Sequence, residues 1–355
     1  MSADLEREGW LARQGAVRNG SGVVESFGNP HAEYAWGQTE SIVVDLPALG
    51  WLELTGADRA KFLHNFCTQD IRGLVAGRGA EAFITTVQGK VFAHAHVWAG
   101  NESLGLCVTA ERVGPLLKHF DKYRITEDVE FVDRTAETGT LFAAGPEAAE
   151  RLTAAGLAAA SLGEMNHCVV KDDAGEGVRV ARVAWLGQPG FVLGVPRQRM
   201  GVWGDRLAAA GLHPAGMAAF EALRIEACFP WYGRDITDAN LAQEARRTRQ
   251  AISFSKGCYL GQETVARIDA LGHVNQQLCG IRFVAGPVPE AGTPVFAEGA
   301  TDKPAGRVTS ATLSFTEDVP VALAYLRRGY DRNGSRVWVT TAGGSLTGEV
   351  FWSED

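Results

Sequence analysis

The sequence predicts an α+β protein that ends in a small β-barrel. Between residues 41 and 271, short apolar strand patterns alternate with helical ones. After Gly272 the helical periodicity stops. Short strand patterns follow, separated by turn residues such as Gly286-Pro287 and Gly292-Thr293-Pro294, a spacing that suits a small barrel. The expected organisation is a lead-in segment over residues 1–40, an α+β region over 41–271, which is read as two subdomains, and a barrel over 272–355.

The lead-in is rich in Gly and Asn with weak periodicity, and reads as holding at most one short helix. Ile42-Val43-Val44 and Trp51 to Leu54 read as strands. Thr55 and Asp58 offer capping oxygens before a helix over Ala60 to Leu63. Ala82 to Trp98 reads as a hairpin turning at Gln88-Gly89. Val113, Leu116, Leu117 and Phe120 make one stripe of a helix reaching Tyr123. Strands follow at Val129 to Val132 and Thr140 to Ala143, then an Ala-rich helix over Pro146 to Ala160. Val178 to Trp185 and Phe191 to Val195 read as strands, and Arg197 to Ala210 and His213 to Cys228 as helices. The barrel strands are read at Leu278 to Phe283, Thr293 to Phe296, Gly306 to Thr312 and Val319 to Leu326, with Trp338 and Phe351 in two more.

Composition narrows the function classes. The chain has 355 residues, 46% hydrophobic and 21% charged, as in globular proteins of two or three domains. No run approaches the roughly 20 apolar residues that span a bilayer, and the stretch from Met1 to Arg18 is polar. The expected location is therefore the cytosol, with no membrane partner. The net charge of −8 weighs against bulk nucleic-acid binding. Six cysteines are scattered without a CxxC, so they read as free thiols rather than a zinc ribbon or redox pair. No GxSxG, Walker loop or HExxH is present.

Two motifs stand out. The first is Lys256-Gly257-Cys258-Tyr259-Leu260-Gly261-Gln262-Glu263. A thiol beside a lysine at the start of a helix is expected to titrate below the free value of about 8.5. The plainer reading is a buried cysteine in a Gly-bracketed turn. The second runs from Arg224 to Asp235. Arg224 and Cys228 share a helix face, Pro230 stops the helix, and Gly233 permits an unusual turn. Arg224 beside Trp231 or Tyr232 suits a flat ring carrying carboxylates. The plainer reading is a surface pairing of Arg224 with Glu226 or with an Asp. His94-Ala95-His96 puts two histidines on one strand face, but no third ligand is legible, so no metal is expected. The run Arg246-Arg247-Thr248-Arg249 reads as solvated surface, or as a polyglutamate or RNA contact.

These pieces, in this order, resemble the YgfZ/GcvT folate-binding superfamily, most closely its YgfZ branch, over roughly residues 40–355. The K-G-C-Y-x-G-Q-E signature stands at Lys256 to Glu263. Leu54 to His64 looks like the family's first strand-to-helix segment, and Gln88-Gly89-Lys90-Val91 like its hairpin. Arg224 to Asp235 looks like its R-x-E-x-x-x-P-x-x-G-x-D stretch, and Gly306 to Ser310 with Leu323 to Arg327 like its barrel. The resemblance implies folate-binding α+β domains and a C-terminal β-barrel around a central hole that takes tetrahydrofolate. It places the pterin near Arg224 and Tyr232, with Lys256 and Arg267 available to carboxylates and Cys258 as the reactive group.

One branch of this superfamily is the aminomethyltransferase of glycine cleavage, which uses an aspartate after the hairpin turn. Ala93 and His94 occupy that stretch here. The transferase's G-x-x-G-[FY]-E stretch reads Gly187 to Val192, without the final carboxylate. The resemblance therefore implies a tetrahydrofolate-binding accessory factor for iron–sulfur cluster assembly or repair. Its partners would be iron–sulfur proteins or their assembly machinery, including enzymes of tRNA modification. One-carbon transfer on tetrahydrofolate is the alternative.

Overall fold

A computed structural model describes residues 3–300 and 302–352 of the chain; the first and last residues of the sequence lie outside it. The chain forms two compact units: one of residues up to Ala82 plus Ala95–Phe220, the other of Phe83–His94 plus the chain from Glu221 onward.

The lead-in holds two helices rather than one at most: α1 (Ala3–Arg13), the short strands β1 (Val17–Arg18) and β2 (Val24–Ser26), and α2 (Pro30–Thr39). Asn29 caps α2 by accepting a hydrogen bond from the Ala32 amide (3.2 Å), and Pro30 opens its first turn. The segment is part of the core, because Trp10 and Leu11 are buried with Met200, Trp203 and Leu207. Gly201 and Gly204 make this possible. A methyl group on Gly204 would sit 2.3 Å from the Trp10 indole, and one on Gly201 would sit 2.3 Å from the Glu6 carbonyl oxygen. The glycine-rich 201–204 stretch is a helix-packing surface.

The chain continues through β3 (Ile42–Asp45), β4 (Leu49–Thr55), α3 (Arg59–His64), β5 (Gly79–Thr85), β6 (Val91–Ala99), β7 (Leu104–Thr109), α4 (Ala110–Tyr123), β8 (Glu130–Asp133), β9 (Thr138–Ala144) and α5 (Ala148–Ala154). Then come β10 (His167–Lys171), β11 (Gly177–Val183), β12 (Gly190–Pro196), α6 (Met200–Ala209), β13 (His213–Ala215) and α7 (Met217–Glu226). One sheet has the order β10-β11-β12-β9-β3-β13 and another β5-β6-β7-β4-β8. The tip of the β5–β6 hairpin belongs to the second unit.

Two expectations are corrected here, and one strand had not been read. The Ala-rich helix ends at Ala154 instead of Ala160, because Gly156 turns left-handed (φ 88°). The helix expected from His213 to Cys228 begins with a strand: His213–Ala215 pairs parallel with Ile42–Val44, and α7 starts only at Met217. Pro214 argues against helix there. Strand β10 was not legible, since after His167 its residues are only half-buried (Cys168, Val170) or exposed (Val169, Lys171).

In the second unit, α8 (Thr248–Ala251) and α9 (Gln262–Leu271) precede the strands β14 (Gln276–Phe283), β15 (Pro294–Ala297), β16 (Gly306–Ser314), β17 (Val319–Arg327), β18 (Arg336–Thr341) and β19 (Gly344–Phe351). They close as β14-β17-β16-β15-β18-β19, the barrel read from the sequence. Ala322, Ala324 and Leu326 of β17 face the barrel core with Ile281, Val308 and Val339. Val321, Leu323 and Tyr325 face outward onto Ile225 and Leu278. Burial of both faces explains why β17 reads as one continuous apolar run. Among the described residues no helix is long and apolar enough to cross a membrane.

His167 gives the first unit a pH signature. It is buried; its Nε2–H donates to the Ala99 carbonyl (2.8 Å), while Nδ1 accepts from Arg179 (2.8 Å). Burial first, and the Arg179 charge second, push its pKa down to about 4. The ring is therefore neutral in the fold and prefers protonation in the unfolded chain, where its pKa is about 6.5. This contribution is complete above about pH 6.5 and is lost as pH falls toward 4, by roughly 3 kcal/mol in all. Urea denaturation across that window should show the decline, and His167→Gln should flatten it.

Candidate functional site

The Arg224–Asp235 stretch is organised by a buried ion pair. Arg224 lies in the last turn of α7 with no exposed surface, and all five of its N–H donors are used. Nε and Nη2 donate to the Glu221 carboxylate (3.1 and 2.6 Å), Nη1 to the Phe229 carbonyl (3.1 Å) and Asp235 Oδ2 (2.8 Å), and Nη2 also to Ser310 Oγ (3.1 Å). Asp235 is equally saturated. Its Oδ2 also accepts from the Trp231 amide (2.9 Å), and its Oδ1 accepts from Thr309 Oγ1 (2.6 Å) and from the Ser310 hydroxyl. Neighbouring residues of a strand normally point to opposite faces. The register of β16 shifts between Val308 and Ser310, and this bulge lets both hydroxyls reach one carboxylate. Cys228 and Gly233, both with positive φ (55° and 90°), turn the chain between the charged partners. The Arg224 donors expected to meet a pterin are spent inside the protein, on Glu221 and Asp235, and not in the surface pairing with Glu226 or an Asp of the plainer reading.

That joint sets the turn carrying Tyr232 and Ile236. Both side chains enter a core cluster with Phe83, Val91, Ile252, Val265 and Tyr259. Tyr259 belongs to the cysteine motif and is its inward anchor. The Lys256 ammonium is buried and lies over the Tyr259 ring (4.7 Å from the centroid). Thr85 Oγ1 donates to the Leu260 carbonyl (2.6 Å). Gly261, at φ 85°, is pressed against the hairpin turn. A methyl group there would lie 2.4 Å from the Thr86 carbonyl oxygen and 2.9 Å from Gly89 Cα. Cys258, between these anchors, is exposed. The expected helix start is displaced: Gly261 is the cap of α9, so Cys258 lies in the irregular stretch before it, and Glu263 is the acid of the first turn.

The other candidates are placed as follows. Tyr232 is buried in the core cluster, and Arg267 is exposed on α9. His94 is buried with its ring 5.0 Å from Phe83 and 5.9 Å from Phe229. His96 accepts a hydrogen bond from the Trp185 indole at Nε2 (2.9 Å), which leaves its proton on Nδ1. A third ligand atom exists that the sequence did not reveal, since Glu81 lies within 4.8 Å of His96. The hydrogen bond from Trp185 occupies the lone pair that a metal would need at Nε2. The Arg246–Arg249 run is not simply a solvated face. Arg246 donates to the Leu278 carbonyl (3.1 Å) and stacks on Trp352 (4.3 Å), and Arg247 lies over Phe229 (5.3 Å). Among the described residues all six cysteines are free thiols, and Cys258 is the exposed one.

The glycine-cleavage T-protein N-terminal domain matches residues 22–256, and the family's C-terminal barrel domain matches residues 276–353. The chain belongs to this family, whose cofactor is tetrahydrofolate. A chloroplastic protein of Arabidopsis thaliana named as a transferase is 30% identical over 334 residues, covering 93% of this chain and 74% of that one. The aminomethyltransferase of Rubrobacter xylanophilus is 28% identical, covering 83% and 78%. In fold, the crystal structure of the aminomethyltransferase of Bartonella henselae superposes with a TM-score of 0.86 at 18% identity, covering 98% of this chain and 96% of that one.

Tetrahydrofolate carries carboxylates and a hydrogen-bonding ring. Of the cations expected to meet its carboxylates, Lys256 is buried over Tyr259 and Arg267 is exposed on α9. The ring contacts fit less well, since Arg224 has no free donor and the buried Val192 has no acceptor to offer.

Removing one partner of the buried pair leaves an uncompensated charge, which costs about 3–5 kcal/mol. Arg224→Ala and Asp235→Ala should each lower stability by that amount in urea denaturation, whereas Cys258→Ala should change it by no more than about 0.5 kcal/mol.

Proposed function

We propose that this protein is a tetrahydrofolate-binding accessory factor of the YgfZ type, acting on iron–sulfur proteins or their assembly machinery, with Cys258 as the group it presents to them. One observation carries the reading: the Cys258 thiol is exposed while the residues around it, Lys256, Tyr259 and Leu260, are fixed by burial or hydrogen bonding. A thiolate is a soft ligand suited to iron and to sulfur exchange. Clusters normally take four thiolates, so one exposed cysteine acts transiently, with the partner supplying the rest. Lys256 and Arg267 would receive the folate carboxylates, and enzymes of tRNA modification would be among the clients.

A second reading, aminomethyl transfer to tetrahydrofolate, is favoured by the names of the relatives at 30% and 28% identity. Against it stands the hairpin, where Ala93 carries no acid and His94 is buried between Phe83 and Phe229.

Cys258→Ala should lower the activity of iron–sulfur enzymes in cells several-fold, with tetrahydrofolate affinity by calorimetry and the melting temperature both unchanged. Client enzymes at wild-type activity would reject the role of the thiol. Methylenetetrahydrofolate formed from an aminomethyl donor by the purified protein would establish the second reading instead.

A further inference from the structure

The first unit contains a cavity of about 200 Å³ that no part of the folate reading uses. Arg179 of β11 reaches it, half-buried, from between the buried Val178 and Val180. Among the described residues, no carboxylate lies within ion-pair distance of Arg179. Its one hydrogen-bond partner is the neutral His167, whose Nδ1 takes a proton from Nη1 (2.8 Å). A neutral acceptor orients a guanidinium without cancelling its charge. The cavity's acid, Glu53, is already held by Arg134 (2.9 Å). Two guanidinia and one carboxylate line the space; Arg134 is held by a second acid outside it, Glu137 (3.0 Å), while Glu53 acts on Arg179 only at a distance, so the Arg179 fork has no carboxylate seated on it.

Glycines keep the space open in front of that charge. A methyl group on Gly105 would lie 3.4 Å from Arg179 Nη2, and one on Gly194 would lie 3.1 Å from Trp51. Apart from the glycines, the remaining walls are Trp51, Leu52 and Val169, with the one hydroxyl residue Thr138. At about 30 Å³ per water, the volume admits a molecule of fewer than about ten heavy atoms. An ion with no carbon would leave the Trp51 and Val169 walls unmatched.

We propose that this cavity binds a small organic monocarboxylate, its carboxylate held by the Arg179 guanidinium fork and its short apolar body lying against Trp51. A planar fork matches a carboxylate at two points, and a partly desolvated guanidinium holds an anion more strongly than an exposed one. None of the cavity's residues lies in the hairpin turn, the 187–192 stretch, the Arg224–Asp235 turn or the cysteine motif.

The test uses the full chain and propionate, with propionamide as the neutral isostere and inorganic phosphate as the carbon-free anion. Ligand-observed NMR should show propionate binding with a dissociation constant on the order of 1 mM. Propionamide and phosphate should bind at least tenfold more weakly. The propionate methyl should give nuclear Overhauser effects to a tryptophan indole that vanish in Trp51→Phe. Arg179→Gln should weaken propionate at least tenfold. Equal binding of propionate and propionamide, phosphate bound as well as propionate, or Arg179→Gln with wild-type affinity would each overturn the proposal. If Arg179→Gln does not fold, the propionamide comparison and the contact to Trp51 in otherwise unchanged protein decide the matter.

Discussion

The second unit is built around one ion pair that is satisfied on every side. Arg224 gives five hydrogen bonds and Asp235 accepts four, from a helix, a tight turn and a bulged barrel strand. Burying two charges is unfavourable unless their remaining donors and acceptors are met. Here they are met by elements distant in sequence, so the pair specifies how those elements dock. Moving any one of them would leave a charge partly bare.

The consequence reaches the cysteine loop. The turn fixed by Asp235 delivers Tyr232 and Ile236 into the same cluster that receives Tyr259. Tyr259 then serves as the inward anchor, Gly261 as the close contact with the hairpin, and Cys258 as what is left outside. A reactive group is best held by a rigid local frame rather than a loose loop. The exposed thiol therefore follows from buried residues on either side of it, more than from any property of cysteine.

Much of this was legible in the sequence. The barrel strands could be read because turn residues punctuate them, and the β5–β6 hairpin because Gln88-Gly89 interrupts two apolar runs. The Arg224–Asp235 spacing showed that a turn must bring these residues together, but spacing alone does not say whether an arginine faces a ligand or an acid. That outcome depends on Ser310 and Phe229, one of which lies 86 residues away. The helices of the lead-in were missed because their apolar faces are short, Trp10 and Leu11 being the buried part of α1. Strand β13 was missed because three residues at a sheet edge leave no period to detect. Glu81 beside His96 was invisible because the two meet only through strand pairing. The Arg179 cavity had no motif at all; its signal is three glycines on separate strands.

The central claim is that a solvent-facing thiol stands on a fixed frame while the chain's buried cysteines do not. Brief alkylation of the native protein with iodoacetamide, read by peptide mass spectrometry, measures this directly. Cys258 should be modified first, with Cys67, Cys107 and Cys279 protected until denaturant is added. Cys258 modified no faster than those three would contradict the account.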